Sequence, residues 1–113
     1  QGKSVVHSFH VELEVDINNA LSDKFTVIEV AGRDRPGLLY ELTTALSDLS
    51  LDIASAHIAT YGEKAVDVFY VTDLLGKKVI APQRQRTIKE RLVPVLAGAS
   101  ARPAKPTSDR SAT

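Results

Sequence analysis

Six residues in this chain have the types and spacing of a small-ligand site: Asp34-Arg35-Pro36-Gly37-Leu38-Leu39. The run lies where a β-branched stretch, FTVIEVA, gives way to apolar residues at helical spacing. The first N–H groups of a helix lack internal partners and carry partial positive charge, so they suit a carboxylate. Gly37 would let a ligand come close to the backbone. Asp34 could attract an ammonium beside that carboxylate, and a free α-amino acid carries both groups on one carbon. The structural alternative is that Asp34 caps the helix while Pro36-Gly37 shapes the turn.

The elements that must position this run follow from periodicity. Phe9, Val11, Leu13, Val15 and Ile17 alternate with polar residues, which predicts a strand over 5–17 with one wet face. Asn18-Asn19 and Ser22-Asp23 supply turn chemistry. Phe25–Ala31 reads as a second strand, interrupted by Gly32-Arg33. Leu38, Leu42, Ala45, Leu46 and Leu49 predict a helix ending near Ser50, with Asp34 placed to cap it. Strands are predicted at Leu51–Tyr61 and Ala65–Thr72, with Asp67 and Asp73 on the wet face. Pro82 opens a second helix that Pro94 should kink or end near Val93, with Gly98 as a stop. Residues 99–113 are rich in Ala, Ser, Pro and Thr, and are expected to be a disordered tail after a domain spanning 1–98.

From Phe25 onward the order is βαββα, one strand short of the ferredoxin-like pattern. The opening strand can fill the vacant place beside Phe25–Ala31, pairing antiparallel with it. The expected fold is therefore α+β: a four-stranded antiparallel sheet with two helices on one face, in a permuted β-βαββα order.

The strand–DRPGLL–helix unit, with LDI opening the next strand, resembles the ACT domain family from Phe25 to about Leu96. Within it, FTVIEVAGRDRPGLLYELTTALSDLSLDIASAHIATYGEKAVDVFYVTD is similar to the C-terminal ACT regions of the uridylyltransferase/uridylyl-removing enzyme family of bacterial nitrogen control. This resemblance implies an effector at the turn, drawing on Arg33, Asp34, Arg35, Pro36, Gly37, Leu38 and Leu39. It also implies a second polar contact where the next strand opens, at Asp52 with Ile53, supplied by a partner domain. Many family members carry Asn at one or both of the positions held here by Asp34 and Asp52. The implied effector is glutamine, the implied protein substrate of the parent enzyme is the PII signalling protein, and the implied association is with a second copy or a second ACT domain.

Composition narrows the alternatives. Lys+Arg and Asp+Glu are both 14, so no long-range field draws the chain to nucleic acid or a membrane surface. The absence of cysteine excludes disulfides and thiolate metal sites and fits the cytoplasm. His7, His10 and His57 lack metal-ligand spacing. Phe69 and Tyr70 could suggest a base-stacking sheet, but adjacent strand residues face opposite sides. No phosphate loop, nucleophile elbow or metal set is visible, so neither catalysis nor a cofactor is expected. The opening at Gln1 leads us to expect a piece of a larger regulatory enzyme. A structural dimerisation or docking module without ligand is the second reading, and an enzyme of acylphosphatase type the third.

Overall fold

The computed structural model of the chain describes residues 11–98. Six elements follow one another: β1 (Glu14–Asn18), β2 (Thr26–Arg33), α1 (Leu38–Asp48), β3 (Leu51–Tyr61), β4 (Lys64–Asp73) and α2 (Pro82–Leu96). The strands form one sheet in the order β1-β2-β4-β3. Every neighbouring pair is antiparallel. Both helices pack on the same face of the sheet and against each other. This is the expected permuted α+β architecture, with β1 in the place of the missing last strand.

The register explains the two faces. Ile28 lies between Ile17 and Phe69, and Val30 between Val15 and Asp67. Side chains alternate along each strand, so these residues share the helix-covered face. Ile28 and Phe69 are fully buried there with Leu42, Leu46, Ile88 and Leu92. At roughly 1.5–3 kcal/mol for each large apolar side chain, this layer is the chief stabilising feature of the fold.

β1 is held by more than its ladder. The buried Thr26 hydroxyl donates to Asn19 Oδ1 (2.6 Å) and accepts the Val79 N–H (2.7 Å). Lys78 Nζ donates to the carbonyls of Asn19 and Ser22. These bonds tie the β1–β2 loop, β2 and the β4–α2 loop together. The expected turn chemistry is present: Asn18 Oδ1 accepts from Ala20 and Leu21, and Ser22 Oγ from Lys24 and Phe25.

Several boundaries differ from expectation. Among the described residues the opening strand begins at Glu14 and not at Val11, and residues 5–10 of the predicted strand lie outside the described residues. At Gly32 the space a Cβ would need is taken by Leu96 (3.2 Å) and Leu13 (3.3 Å), so Leu13 closes over the strand instead of extending the ladder. β2 does not stop at Ala31: Gly32 and Arg33 still pair with Ala65 and Lys64. α1 ends at Asp48, and Ser50 takes a left-handed φ of 63°. α2 runs through Pro94 to Leu96, then stops at Gly98 with φ 76°. Pro94 lies so near the helix end that little of the ladder remains for it to break, and Val95 and Leu96 hold the last turn by burial. β3 spans the predicted residues. The predicted tail, 99–113, lies outside the described residues.

Candidate functional site: the turn from β2 to α1

Arg33, Asp34, Arg35, Pro36, Gly37, Leu38 and Leu39 form one continuous corner between β2 and α1. Leu38 N–H donates to the Arg35 carbonyl (3.2 Å), and Gly37 adopts φ 83°, ψ −3°. With Pro36 at the second position, this is a type II turn whose third residue favours glycine. The turn places the helix start at Leu38, with Gly37 as N-cap and no side-chain cap. Asp34 is thus three residues too early to cap α1, contrary to expectation. Its carboxylate is left exposed instead.

The corner is anchored on both sides. Asp34 N–H donates to the Glu63 carbonyl (2.8 Å), and Arg33 pairs with Glu63 (2.9 Å), so the β3–β4 hairpin grips the turn. Arg35 makes a two-pronged pair with Glu41 (3.1 and 2.8 Å) and donates to the Val95 carbonyl (2.8 Å). Hydrogen bonding to Glu41 raises the Arg35 pKa further, so its charge is fixed. The Arg35 guanidinium therefore ties the turn to both helices. Leu38 N–H is occupied by the turn, which leaves the N–H groups of Leu39 and Tyr40 as the helix-start donors. Leu38 is buried, whereas Leu39 is 43% exposed beside the corner.

Asp52 and Ile53 lie elsewhere. Asp52 pairs with Thr72, while Asp34 meets the sheet at Glu63. Nine residues of strand rise separate these points, roughly 30 Å. Asp52 is exposed on the face away from the helices, and Ile53 packs against the core on the other side. Within one chain the structure does not bring them to the turn.

A residue absent from the sequence-based site sits closer. Asp67 is not on the wet face: it shares the helix-covered face with Ala65, Phe69 and Val71 and is 2% exposed. Its Oδ1 is buried without a hydrogen-bond partner. Burial first, then the nearby charge of Asp34, pushes its carboxyl pKa up. The signal was available in the strand's phase, since Asp67 alternates in step with Phe69 and Val71. On the opposite face, His57 and Phe25 each meet the Tyr70 ring edge-on. Phe69 is buried beneath the helices, so no paired stacking platform exists. Among the described residues no group of side chains could hold a metal ion, and no helix is long and apolar enough to cross a membrane.

Comparison with known proteins places this corner in a family. The family model described as the ACR family N-terminal ACT domain matches residues 21–97. The chain is similar to the bifunctional uridylyltransferase/uridylyl-removing enzyme of Rhodopseudomonas palustris, 63% identical over 88% of this chain and 11% of that protein. It is likewise similar to the enzymes of the same name from Bradyrhizobium diazoefficiens (64%, over 85% of this chain and 10% of that protein) and Nitrobacter hamburgensis (58%, over 88% and 11%). The chain spans about a tenth of the length of these relatives. A solved structure of an unknown protein from Galdieria sulphuraria aligns with TM-score 0.46 and 24% identity, over 58% of this chain and 37% of that one. The corner, the sheet order and the family match together show that this chain belongs to the ACT domain family.

Proposed function

We propose that this chain is a regulatory amino-acid-binding domain of a uridylyltransferase/uridylyl-removing enzyme, and that its effector is glutamine. The parent enzyme would act on the PII signalling protein, with this domain passing the glutamine signal to its catalytic parts. The observation that carries the reading is the corner itself. It leaves Asp34 exposed on one side of the Pro36-Gly37 turn and starts α1 on the other, with the Leu39 and Tyr40 N–H groups as the helix-start donors. The relatives' name supports the choice of parent enzyme.

In this reading the effector's α-carboxylate sits on the helix-start N–H groups and its ammonium faces Asp34. Asp52 and Ile53, roughly 30 Å away along one chain, reach the effector only from a second ACT domain. Regulation requires that two arrangements of the paired domains bind glutamine differently. With so few heavy atoms in the effector, affinity should lie roughly in the millimolar-to-micromolar range.

The second reading, a docking or dimerisation module without ligand, is favoured by the outer edge of β3, which no strand among the described residues covers. Calorimetric titration of glutamine into this chain, and into a longer protein carrying any adjoining ACT domain, separates the two. Saturable binding in the longer protein is the expected result. Its absence there would sink the sensing reading and leave docking.

A further inference from the structure

The buried Oδ1 of Asp67 calls for a partner. It lies between Val30 and Ile58 in the sheet, on the face covered by the helices. Its residue is 2% exposed, and Oδ1 has no hydrogen-bond partner. An ionised carboxylate so enclosed is costly unless a cation or donor meets it. Asp34 cannot meet it, because it adds a second negative charge, felt at Asp67 across the corner. Oδ1 meets no hydrogen-bond donor among the described residues. Arg33 and Arg35, the basic residues of the corner, turn to Glu63 and Glu41 instead.

We infer that Asp67 is the second carboxylate of the ligand site, and that the ammonium of a bound α-amino acid is received between Asp34 and Asp67 of the same chain. The inference rests on the amino-acid-binding reading above and adds a contact to it. Asp34, exposed, meets the ammonium from the solvent side. Asp67 meets it from beneath, after the side chains over Oδ1 give way. Ile58, opposite Asp67 and 48% exposed, forms the open lip of that approach. The α-carboxylate of the same ligand then falls toward the Leu39 and Tyr40 N–H groups at the start of α1. Asp52 cannot play this part in one chain, since it faces the other side of the sheet at its far end. The pair selects for a primary ammonium: a ligand without one leaves a buried carboxylate unpaired.

The test is calorimetric titration of L-glutamine, and of its amine-free analogue 4-carbamoylbutanoate, into the full-length protein. Wild type, Asp67→Asn and Asp67→Ser are compared, with thermal melts to show that each is folded. Wild type should bind glutamine about tenfold or more tighter than the analogue, the fold-change expected of one charge-assisted hydrogen bond. Both variants should lose that preference by weakening glutamine alone. A folded Asp67 variant that binds glutamine as tightly as wild type overturns the role of Asp67 and leaves the amino-acid reading standing. If wild type binds neither compound, the amino-acid reading itself falls, and this inference with it. Should both variants fail to fold, the carbon-13 carboxyl resonance of Asp67 in the wild type decides. It should shift on glutamine addition, and an unmoved resonance rejects the contact.

Discussion

Two residues, Asp67 on β4 and Gly37 at the corner, hold a charge or a conformation that their neighbours do not reward. Asp67 lies in the helix-covered layer without a partner for Oδ1, where Val30 and Val71 nearby are wholly apolar. Asp67→Val should therefore raise stability at neutral pH by roughly 1 kcal/mol, the lower end of the cost of a buried unsatisfied group. The pH dependence has a definite sign. Burial, with the charge of Asp34 adding to it, holds the Asp67 pKa above its ordinary 3.8. The folded chain thus binds this proton more tightly than the unfolded chain. The associated stability is complete below the ordinary value and is lost as pH rises through the raised one. Asp73 acts the other way: the backbone N–H of Lys77, aided by that of Leu75, lowers its pKa, so its contribution is lost as pH falls. Denaturant titrations across acid pH should show the first component in wild type and not in Asp67→Val. A variant curve parallel to wild type would refute the assignment. Gly37, at φ 83°, makes the second case. Gly37→Ala should cost about 1–2 kcal/mol through the left-handed backbone alone, since the nearest atom to an added Cβ is 3.9 Å away.

At the scale of elements, the end of α2 and the start of α1 are one mechanical unit. Arg35 reaches from the turn to Glu41 on α1 and to the Val95 carbonyl on α2. Arg35→Lys keeps the charge but cannot reproduce the two-pronged pair together with the third bond. It should lower stability by about 1 kcal/mol and leave the sheet intact, read as a fall in melting temperature with an unchanged far-ultraviolet spectrum. Pro94→Ala should move the other way by up to about 1 kcal/mol, well short of the roughly 3 kcal/mol that proline costs in a helix interior, because only the last turn is affected. These elements were unevenly legible in the sequence. β3 could be read to the residue because Ser50 and Gly62 punctuate a long β-prone run. β1 was overextended because its alternation continues N-terminal to Glu14, whereas Leu13 is drawn over Gly32 by packing that no local pattern records. Asp34 has the residue type of a helix cap. The type II turn at Pro36-Gly37 moves the helix start beyond its reach. The acidic type of Asp67 points to solvent, whereas its strand phase matches buried neighbours.

Across the whole molecule, the helices cover the sheet unevenly. α2 lies against β1 and β2, and α1 reaches β3, yet β3 is exposed along most of its 11 residues. Among the described residues no strand pairs with its outer edge, where Ile58 is 48% and Tyr61 66% exposed. A long edge of this kind is a template for pairing with another chain unless charge or a bulge interrupts it. The irregularity between Ile53 and Ser55 interrupts only its beginning. Pairing of β3 with β3 of a second copy would join two sheets about a twofold axis, a closed arrangement that leaves neither of these edges open. The same pairing is the means by which residues from the far end of one β3 could approach the corner of another, which Asp52 requires if it is to contact the effector. Ligand contact by Asp52 therefore requires either self-association or an adjoining ACT domain of the parent enzyme, whereas contact by Asp67 within one chain depends on neither. The chain is expected to sediment as a dimer at high concentration. Ile58→Lys, which places a charge on the edge at the centre of that strand, should return it to a monomer without lowering the melting temperature of the fold. A wild-type chain that remains strictly monomeric would leave an adjoining ACT domain as the remaining source of a partner's residues, and in this chain Asp34, Asp67 and the helix-start N–H groups would have to bind the effector alone.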